Sequence, residues 1–450
     1  PIEIMTKKQW FVAANKMNED IVEQAKSMRW VPGHMYQRLE NWAHSMDWDW
    51  CISRQRIFAT PIPVWYCDDC HKVVLPSVEQ LPVDPTIDKP DHSCSCGCNS
   101  FTPEEDVLDT WMDSSITPLT IANWPNEGWE NVYPATLRPQ GHDIIRTWAF
   151  YTILRCYALT GEKPFDEIVV NGMVFGEDGH KMSKSLGNVI APEEVIEEYG
   201  ADALRLWSAN SVPGADVPFG WKDIKHAYKF LRKFWNAFRF ISMHLDENVS
   251  DNLSENNIID KWILSKLNRL NQTVTQAFEE YNFATAEQAI YDFVWHDFCD
   301  EYIESVKYRL YEDIDSTSDA KYTLKTVIET TLALMAPITP FFADTVNQYL
   351  GNDSMALHQG GWPELNDELI NDDVEIVGSY AIDIIDELRR YKSSKGIPLN
   401  QPLNTVNIYT TDVEKVELTI EDIKNTNKVD NITVVNGKPD LHEKVLAIEP

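Results

Sequence analysis

Lys181-Met182-Ser183-Lys184-Ser185 sets two ammonium groups three residues apart, with two hydroxyls, in a run bounded by Gly179 and Gly187. Each ammonium is a compact point charge with three donors, and small neighbours let such a loop close on a polyphosphate. The apolar run 168–175 before it reads as a buried strand. Pro192, Glu193 and Glu194 after it read as the first turn of a helix. A cationic loop between a core strand and a helix is a place to hold phosphate. By composition alone it reads equally well as a solvated lysine loop.

A second constellation is made of cysteines. Cys67 and Cys70 form a C-x2-C knuckle, and Cys94, Cys96 and Cys98 follow about two dozen residues later. Two close knuckles at that separation suit one tetrahedral zinc held by four thiolates. Such a site is structural, because four thiolates leave no position open to substrate. Cys67, Cys70, Cys94 and Cys96 are the expected ligands, with Cys98 as a substitute. The alternative is a relic that no longer holds metal.

Gly141-His142-Asp143 falls where a strand should end and a helix begin at Ile144. Ligands of open α/β sheets bind at that carboxyl end. Gly141 permits close approach, and the Asp143 carboxylate can accept from ribose hydroxyls. Ile144 and Trp148 are four apart and share a helix face. With Trp111 they could wall a small apolar pocket, although the spacing alone favours plain core packing.

These residues need a frame. The 450 residues give a prior of roughly three domains. The order strand, crossover helix, strand, phosphate loop, helix predicts a doubly wound parallel sheet over 1–220. Residues 64–105 form its metal-binding insertion. Ser211 to Trp221, rich in Pro and Gly, reads as a linker. The texture then turns helical. Ile263, Leu267, Leu270, Val274, Ala277 and Tyr281 repeat at four and three, a bundle seam, and Pro337 and Pro340 interrupt the pattern. This predicts an all-α domain over 221–365. One more helix near 374–391 and a small β-α-β tail complete 366–450.

Net charge is −32, which taken alone argues against a nucleic-acid partner. Two local runs oppose it. Lys222, Lys225, Lys229, Arg232, Lys233 and Arg239 face only Asp223, and Arg389, Arg390, Lys392 and Lys395 lie close together. Each run reads equally as a solvated helix face. No apolar run approaches the ~18 residues of a membrane span. There is no secretory signal, and Pro1 begins mid-pattern, so a piece of a longer, cytoplasmic chain is expected.

The string Lys181 to Ser185 with Leu186-Gly187-Asn188 resembles the signature loop of class I aminoacyl-tRNA synthetases. Ser53-Arg54-Gln55-Arg56 is similar to the valyl and isoleucyl members. Asp109-Thr110-Trp111 and the run from Gly141 to Trp148 resemble the valyl over the isoleucyl ones. Arg389-Arg390-Tyr391-Lys392 with Leu399-Asn400 and Pro402-Leu403 resembles the tail of the archaeal type. The resemblance covers nearly the whole chain. Relatives usually carry C-x2-C-G in the second knuckle, where Ser93 stands here. No His-x-Gly-His element and no inserted editing domain are found, so the chain resembles a C-terminal half, with 1–220 as the second half of a nucleotide-binding core.

The resemblance implies ATP, with Mg2+, at Gly141, His142, Asp143, Val174, Lys181, Met182, Ser183, Lys184 and Ser185. It implies catalytic roles for Lys181, Ser183 and Lys184, a valine pocket at Trp111, Ile144 and Trp148, and Zn2+ on the cysteines. The implied partners are valine tRNA, met through Lys222, Lys225, Lys229, Arg232, Lys233, Arg389 and Arg390, and the N-terminal half of the enzyme. An isoleucyl enzyme, or a non-catalytic tRNA-binding scaffold, is the alternative.

Overall fold

The computed structural model describes residues 7–245, 257–312, 314, 316–351 and 356–437. The outer ends of the first and last expected domains, 1–6 and 438–450, lie outside them. Two compact units emerge: 1–174 with 213–217, and 175–212 with 218–450. Among the described residues no helix is long and apolar enough to cross a membrane.

The first unit is built on three parallel strands, β1 (Arg29–Val31), β2 (Ala135–Gly141) and β3 (Phe165–Asn171), in the order β1-β3-β2. Ile168, Val169 and Val170 are all buried, so the central strand is covered on both faces, as a parallel sheet requires. Its register sets Asn171 opposite Gly141 and Val170 opposite Gln140. The crossover from β2 to β3 ends in α1 (Phe150–Thr160), which stops at Gly161 with φ +78°. Phe150, Ile153 and Leu154 of that helix join Ile21, Leu39, Ile168 and Val170 in one core. The chain from Gly141 does not enter an α-helix at Ile144. It makes a 3-10 turn over His142–Ile144 and a π-turn over Ile145–Ala149 before α1 begins. Apolar residues four apart fit an α-turn and a π-turn alike, which is why spacing did not separate them.

The insertion is a three-stranded antiparallel sheet, β4 (Trp65–Cys67) flanked by β5 (Val73–Val74) and β6 (Phe101–Pro103). Its own small core is Trp65, Val74, Cys67 and Cys94.

Residues 211–221 are not a plain linker. The segment 213–217 returns to the first unit and lies against the end of β3, with Val217 N donating to Met173 O at 2.9 Å. The approach is so close that a Cβ on Gly172 would stand 1.7 Å from Ala215 O.

The second unit is helical. α2 (Pro192–Tyr199) and α3 (Ala201–Ala209) lead to α4 (Trp221–Ser242), whose apolar stripe is Ile224, Phe230, Phe234, Phe238 and Ile241. α5 (Ile258–Glu279) is central and packs against α6 (Phe283–Asp292), α8 (Thr317–Met335) and α9 (Asp372–Ser394); α7 (Ile303–Glu312) lies between α6 and α8 in sequence. Ile263, Leu267, Leu270, Val274 and Ala277 are buried on α5, whereas Tyr281 lies past its end with φ +56°. Gly378 is what lets α9 approach, because a Cβ there would meet the Trp262 ring at 2.4 Å. Inside this core Arg309 grips Asp260 at 2.6 and 3.0 Å, and Tyr302 donates to the same carboxylate at 2.7 Å. A buried ion pair with its remaining lone pairs and donors satisfied is tolerated where a broken one is not.

After α9 come parallel strands β7 (Leu403–Thr410) and β8 (Val429–Asn436), joined through α10 (Val413–Glu417) and α11 (Ile420–Asn427). Lys392 is not part of a basic surface. It is fully buried, and its Nζ donates to the carbonyls of Leu399, Gln401 and Asn427 at 3.0, 2.7 and 2.6 Å.

Candidate active site and metal centre

In the first unit the candidate site lies at the carboxyl end of β2. Gly141 ends the strand, and a Cβ there would stand 2.7 Å from Asp143 Oδ1, so glycine leaves room for that carboxylate to fold back. Asp143 is exposed, and His142 is half-buried. His142 Nε2 stands 2.6 Å from Asp216 Oδ1. The same oxygen accepts from Met173 N at 2.7 Å. Those two donors, Met173 N–H first, hold the Asp216 carboxyl below its ordinary range. Asp216 was missed in the sequence because it lies in the segment read as linker, 74 residues from its partner.

Trp148 sits on the π-turn, and its Nε1 donates to Ser114 O at 3.1 Å. Ser114 closes α12 (Thr110–Ser114), the short helix that also carries Trp111. Trp111, Ile144 and Trp148 are each half-buried, and Trp111 packs on the core of this unit. One face of the Trp148 indole is covered by Arg138, whose guanidinium carbon lies 2.9 Å from the ring centroid. Burial lowers the Arg138 pKa to about 10, and its Nε and one terminal nitrogen have no hydrogen-bond partner among the described residues. No spacing rule pointed to Arg138, which faces Trp148 from β2, the strand that leads into the turn.

The cysteines converge. Sγ atoms of Cys67, Cys70, Cys94 and Cys96 all lie within 4.8 Å of one another. Cys67 is 3.5 Å from Cys96, and Cys70 is 3.5 Å from Cys94. Thiolates about 2.3 Å from a central zinc would be roughly 3.8 Å apart, so the donor set fits the ion. Each knuckle closes through a residue of positive φ, His71 at 59° and Gly97 at 89°. Backbone N–H groups of Cys70 and Asp69 pull the Cys67 thiol down to about 6 against the cost of burial. The Cys98 N–H acts the same way on Cys96, but Cys67, desolvation and the other thiols outweigh it and push Cys96 up to about 12. Cys98 is engaged elsewhere, with its sulfur 3.4 Å from Ser100 O and 3.3 Å from Ser100 N.

In the second unit the lysine loop is a braced turn. Phe175 bridges Lys181, and Gly176 N donates to His180 O at 2.9 Å. Asn188 is the brace: its Oδ1 accepts from Ser183 N at 2.9 Å, and its Nδ2 reaches Asp178 and Lys181 O. Ser183 and Ser185 hydroxyls are 2.6 Å apart. Gly179 and Gly187 take φ +73° and +66°, the left-handed turns that small residues allow. Lys181 and Lys184 are exposed and make no ion pair among the described residues. Met182 packs its side chain onto the helical core. Val174 is 44% exposed.

On α4, Lys222, Lys225, Lys229 and Arg232 are exposed. Lys233 is committed, 2.7 Å from Asp300 and 4.0 Å from the centre of the Trp295 ring. Arg389 and Arg390 pair with Asp386 and Glu387 on their own helix, at 3.7 and 3.1 Å.

Residues 3–220 match the family model of class I tRNA synthetases (I, L, M and V), and residues 260–408 match that of the anticodon-binding domain of tRNA ligase. The chain belongs to the class I aminoacyl-tRNA synthetases. Its whole length is 59% identical to a valine--tRNA ligase of Methanothermobacter thermautotrophicus, covering 51% of that protein. It is 51% identical to one of Methanocaldococcus jannaschii, covering 52%. The synthetase chain thus spans about half the length of the curated relatives it matches. Two solved structures share its fold. A LeuRS–tRNA–LeuAMS complex from Agrobacterium radiobacter K84 has TM-score 0.59 at 24% identity, over 72% of this chain and 43% of that one. A methionyl-tRNA synthetase of Mycobacterium tuberculosis bound by methionyl-adenylate has TM-score 0.57 at 18% identity, over 81% and 66%.

Proposed function

We propose that this chain is part of a cytoplasmic valine--tRNA ligase, which activates valine with ATP and transfers it to valine tRNA. The observation that carries the reading is the intact lysine loop, whose two ammonium groups make no ion pair among the described residues, in a chain 59% identical throughout to a valine--tRNA ligase. In the first step a valine carboxylate oxygen attacks the α-phosphorus of ATP. The bond to the β-phosphate oxygen breaks, and pyrophosphate leaves with the negative charge. Lys181 and Lys184 stabilise that charge as it moves, and Ser183 and Ser185 offer hydroxyls to the same oxygens. This is positioning and electrostatics rather than covalent catalysis. Gly141 and Asp143 hold the ribose, with His142 oriented by Asp216. Trp111, Ile144 and Trp148 bound the valine side chain. In the second step the terminal ribose hydroxyl of the tRNA attacks the acyl carbon and AMP leaves.

Cys67, Cys70, Cys94 and Cys96 would hold a zinc ion whose contribution is to order the insertion. Lys222, Lys225, Lys229, Arg232, Arg389 and Arg390 are the proposed tRNA contacts, and ATP enters with Mg2+. The first 220 residues act as the catalytic half-core, 221–365 as the anticodon-binding domain, and 366–450 as the tail.

The test is valine-dependent pyrophosphate exchange. The longer protein should exchange with valine over isoleucine and lose the activity in Lys184→Ala. The 450-residue chain alone, which carries no His-x-Gly-His, should show none. Exchange by the chain alone above its Lys184→Ala control, or a preference for isoleucine, overturns the reading.

A further inference from the structure

Most of the chain from Glu177 to Gly187 is exposed, and Met182 anchors it to the helical core. The Asn188 amide is a second anchor. Its Oδ1 accepts from Ser183 N at 2.9 Å, and its Nδ2 donates to Lys181 O at 3.3 Å and to the Asp178 carboxylate at 3.2 and 3.3 Å. One side chain thus holds the carbonyl of the first lysine and the N–H just before the second. With a donor facing its oxygen and acceptors facing its nitrogen, the amide has one orientation that satisfies every contact. Ser183 O in turn accepts from Leu186 N and Gly187 N, both at 3.1 Å. Lys184 therefore rides on a closed turn whose first N–H is bound to Asn188.

Asp178 fixes the amide from the other side. Its Oδ1 also accepts from His180 N at 3.0 Å. The His180 N–H first, and Asn188 after it, hold the carboxyl below its ordinary range, so it is anionic at neutral pH. The carboxylate is turned to these donors and forms no ion pair with either lysine among the described residues. The fit is close: a Cβ on Gly176 would stand 2.9 Å from Asp178 Oδ1 and 3.1 Å from Asn188 Nδ2.

Two long side chains lose freedom when they meet a polyphosphate, and a mobile backbone beneath them would add its own entropy to that loss. A backbone fixed in advance removes the second cost at the moment charge moves. We propose that Asn188 and Asp178 are positioning residues, which preset the backbone of Lys181 and Lys184 for the departing pyrophosphate. This role rests on the proposed function. Because the lysines meet charge that develops as the bond breaks, the brace should be felt in kcat rather than in KM.

Two measurements test it. Limited trypsin digestion of the 450-residue chain reads the brace directly, since trypsin cuts after lysine in mobile loops. Asn188→Ala should be cut after Lys181 and Lys184 about tenfold faster than wild type. In the longer protein, Asn188→Ala should lower kcat of valine-dependent pyrophosphate exchange about tenfold and move the KM for ATP by less than about twofold. Gly176→Ala presses on the brace without removing any of its groups and should act in the same direction. Asn188→Asp sets two carboxylates face to face and should lose more. Adding Asp178→Asn to it restores a donor and an acceptor in reverse and should recover part of kcat. Unchanged cutting in Asn188→Ala, a loss confined to KM, or no recovery in the double variant overturns the brace and leaves the functional reading standing. A wild-type longer protein without valine-dependent exchange overturns both.

Discussion

His142 Nε2 and Asp216 Oδ1 stand 2.6 Å apart, although 74 residues separate them and the chain leaves the first unit and returns in between. The contact fixes one imidazole nitrogen against the Asp216 carboxylate. It also ties the end of β2 to the end of β3, because Met173 N shares the same carboxylate oxygen.

Asp216→Asn keeps an oxygen for Met173 N but removes the charge that orients His142. Hydrogen bonds to charged groups are worth about 1.5–3 kcal/mol. In the longer protein the KM for ATP should rise about tenfold while kcat changes less. Equal losses in kcat and kcat/KM would place Asp216 in the chemical step instead, and no change would make the pair ornamental.

Metal content tests the cysteine site. One zinc per chain is expected by elemental analysis of protein purified without chelator. Cys70→Ser should abolish it and loosen 64–105, since structural zinc contributes on the order of 10 kcal/mol in small peptides. Cys98→Ser should retain the metal, because its sulfur is turned to Ser100. Loss of zinc in Cys98→Ser, with retention in Cys96→Ser, would reverse the assignment.

Trp148 tests the amino-acid pocket. One methylene in an apolar pocket is worth about 1–3 kcal/mol, a figure for which synthetases of this class are themselves the usual illustration. Trp148→Ala in the longer protein should raise isoleucine activation relative to valine by roughly tenfold. Threonine activation should change much less, since threonine has the shape of valine. An unchanged isoleucine-to-valine ratio in a folded, ATP-binding mutant would show the indole to be plain packing.

Stability of the helical unit should depend on pH through Glu287 and Glu301. Burial, with help from Asp292, holds the Glu287 carboxyl up near pH 7, and burial with Asp297 does the same for Glu301. A carboxyl whose folded pKa is raised stabilises the fold fully below its unfolded pKa. That contribution is lost as pH rises through 7. Urea midpoints should therefore be higher near pH 5.5 than near pH 8, by about 1–2 kcal/mol per group after solvent screening. Glu287→Gln should shrink the difference, and an identical pH dependence in the mutant would remove Glu287 from the account.

What could be read in advance was local. The lysine loop, the first cysteine knuckle and the apolar run of β3 each declare themselves within ten residues, through charge, ligand type or period. What escaped was set by contacts between distant residues. Asp216 looked like linker because Pro and Gly surround it. Lys233 looked like a free cation because its partner, Asp300, is 67 residues away. Arg138, nearer in sequence, lies over Trp148 because the chain folds back after β2, and no periodicity records that. The π-turn at Ile145 hides inside a spacing that an α-helix shares.

Lys392 carries a consequence for how such enzymes can be cut and recombined. The matched anticodon-binding model ends at 408, a natural place to draw a module boundary. One of the three carbonyls that accept from the buried ammonium, that of Asn427, lies on the far side of it. A chimera joined at 408 would sever that strut and uncover Val406 and Ile408, both fully buried. The remaining ammonium, short of an acceptor, could be accommodated only by opening the end of α9 to water. Grafting this tail between homologues therefore demands that α9 travel with it, so the inheritable piece begins at Asp372 rather than at 408.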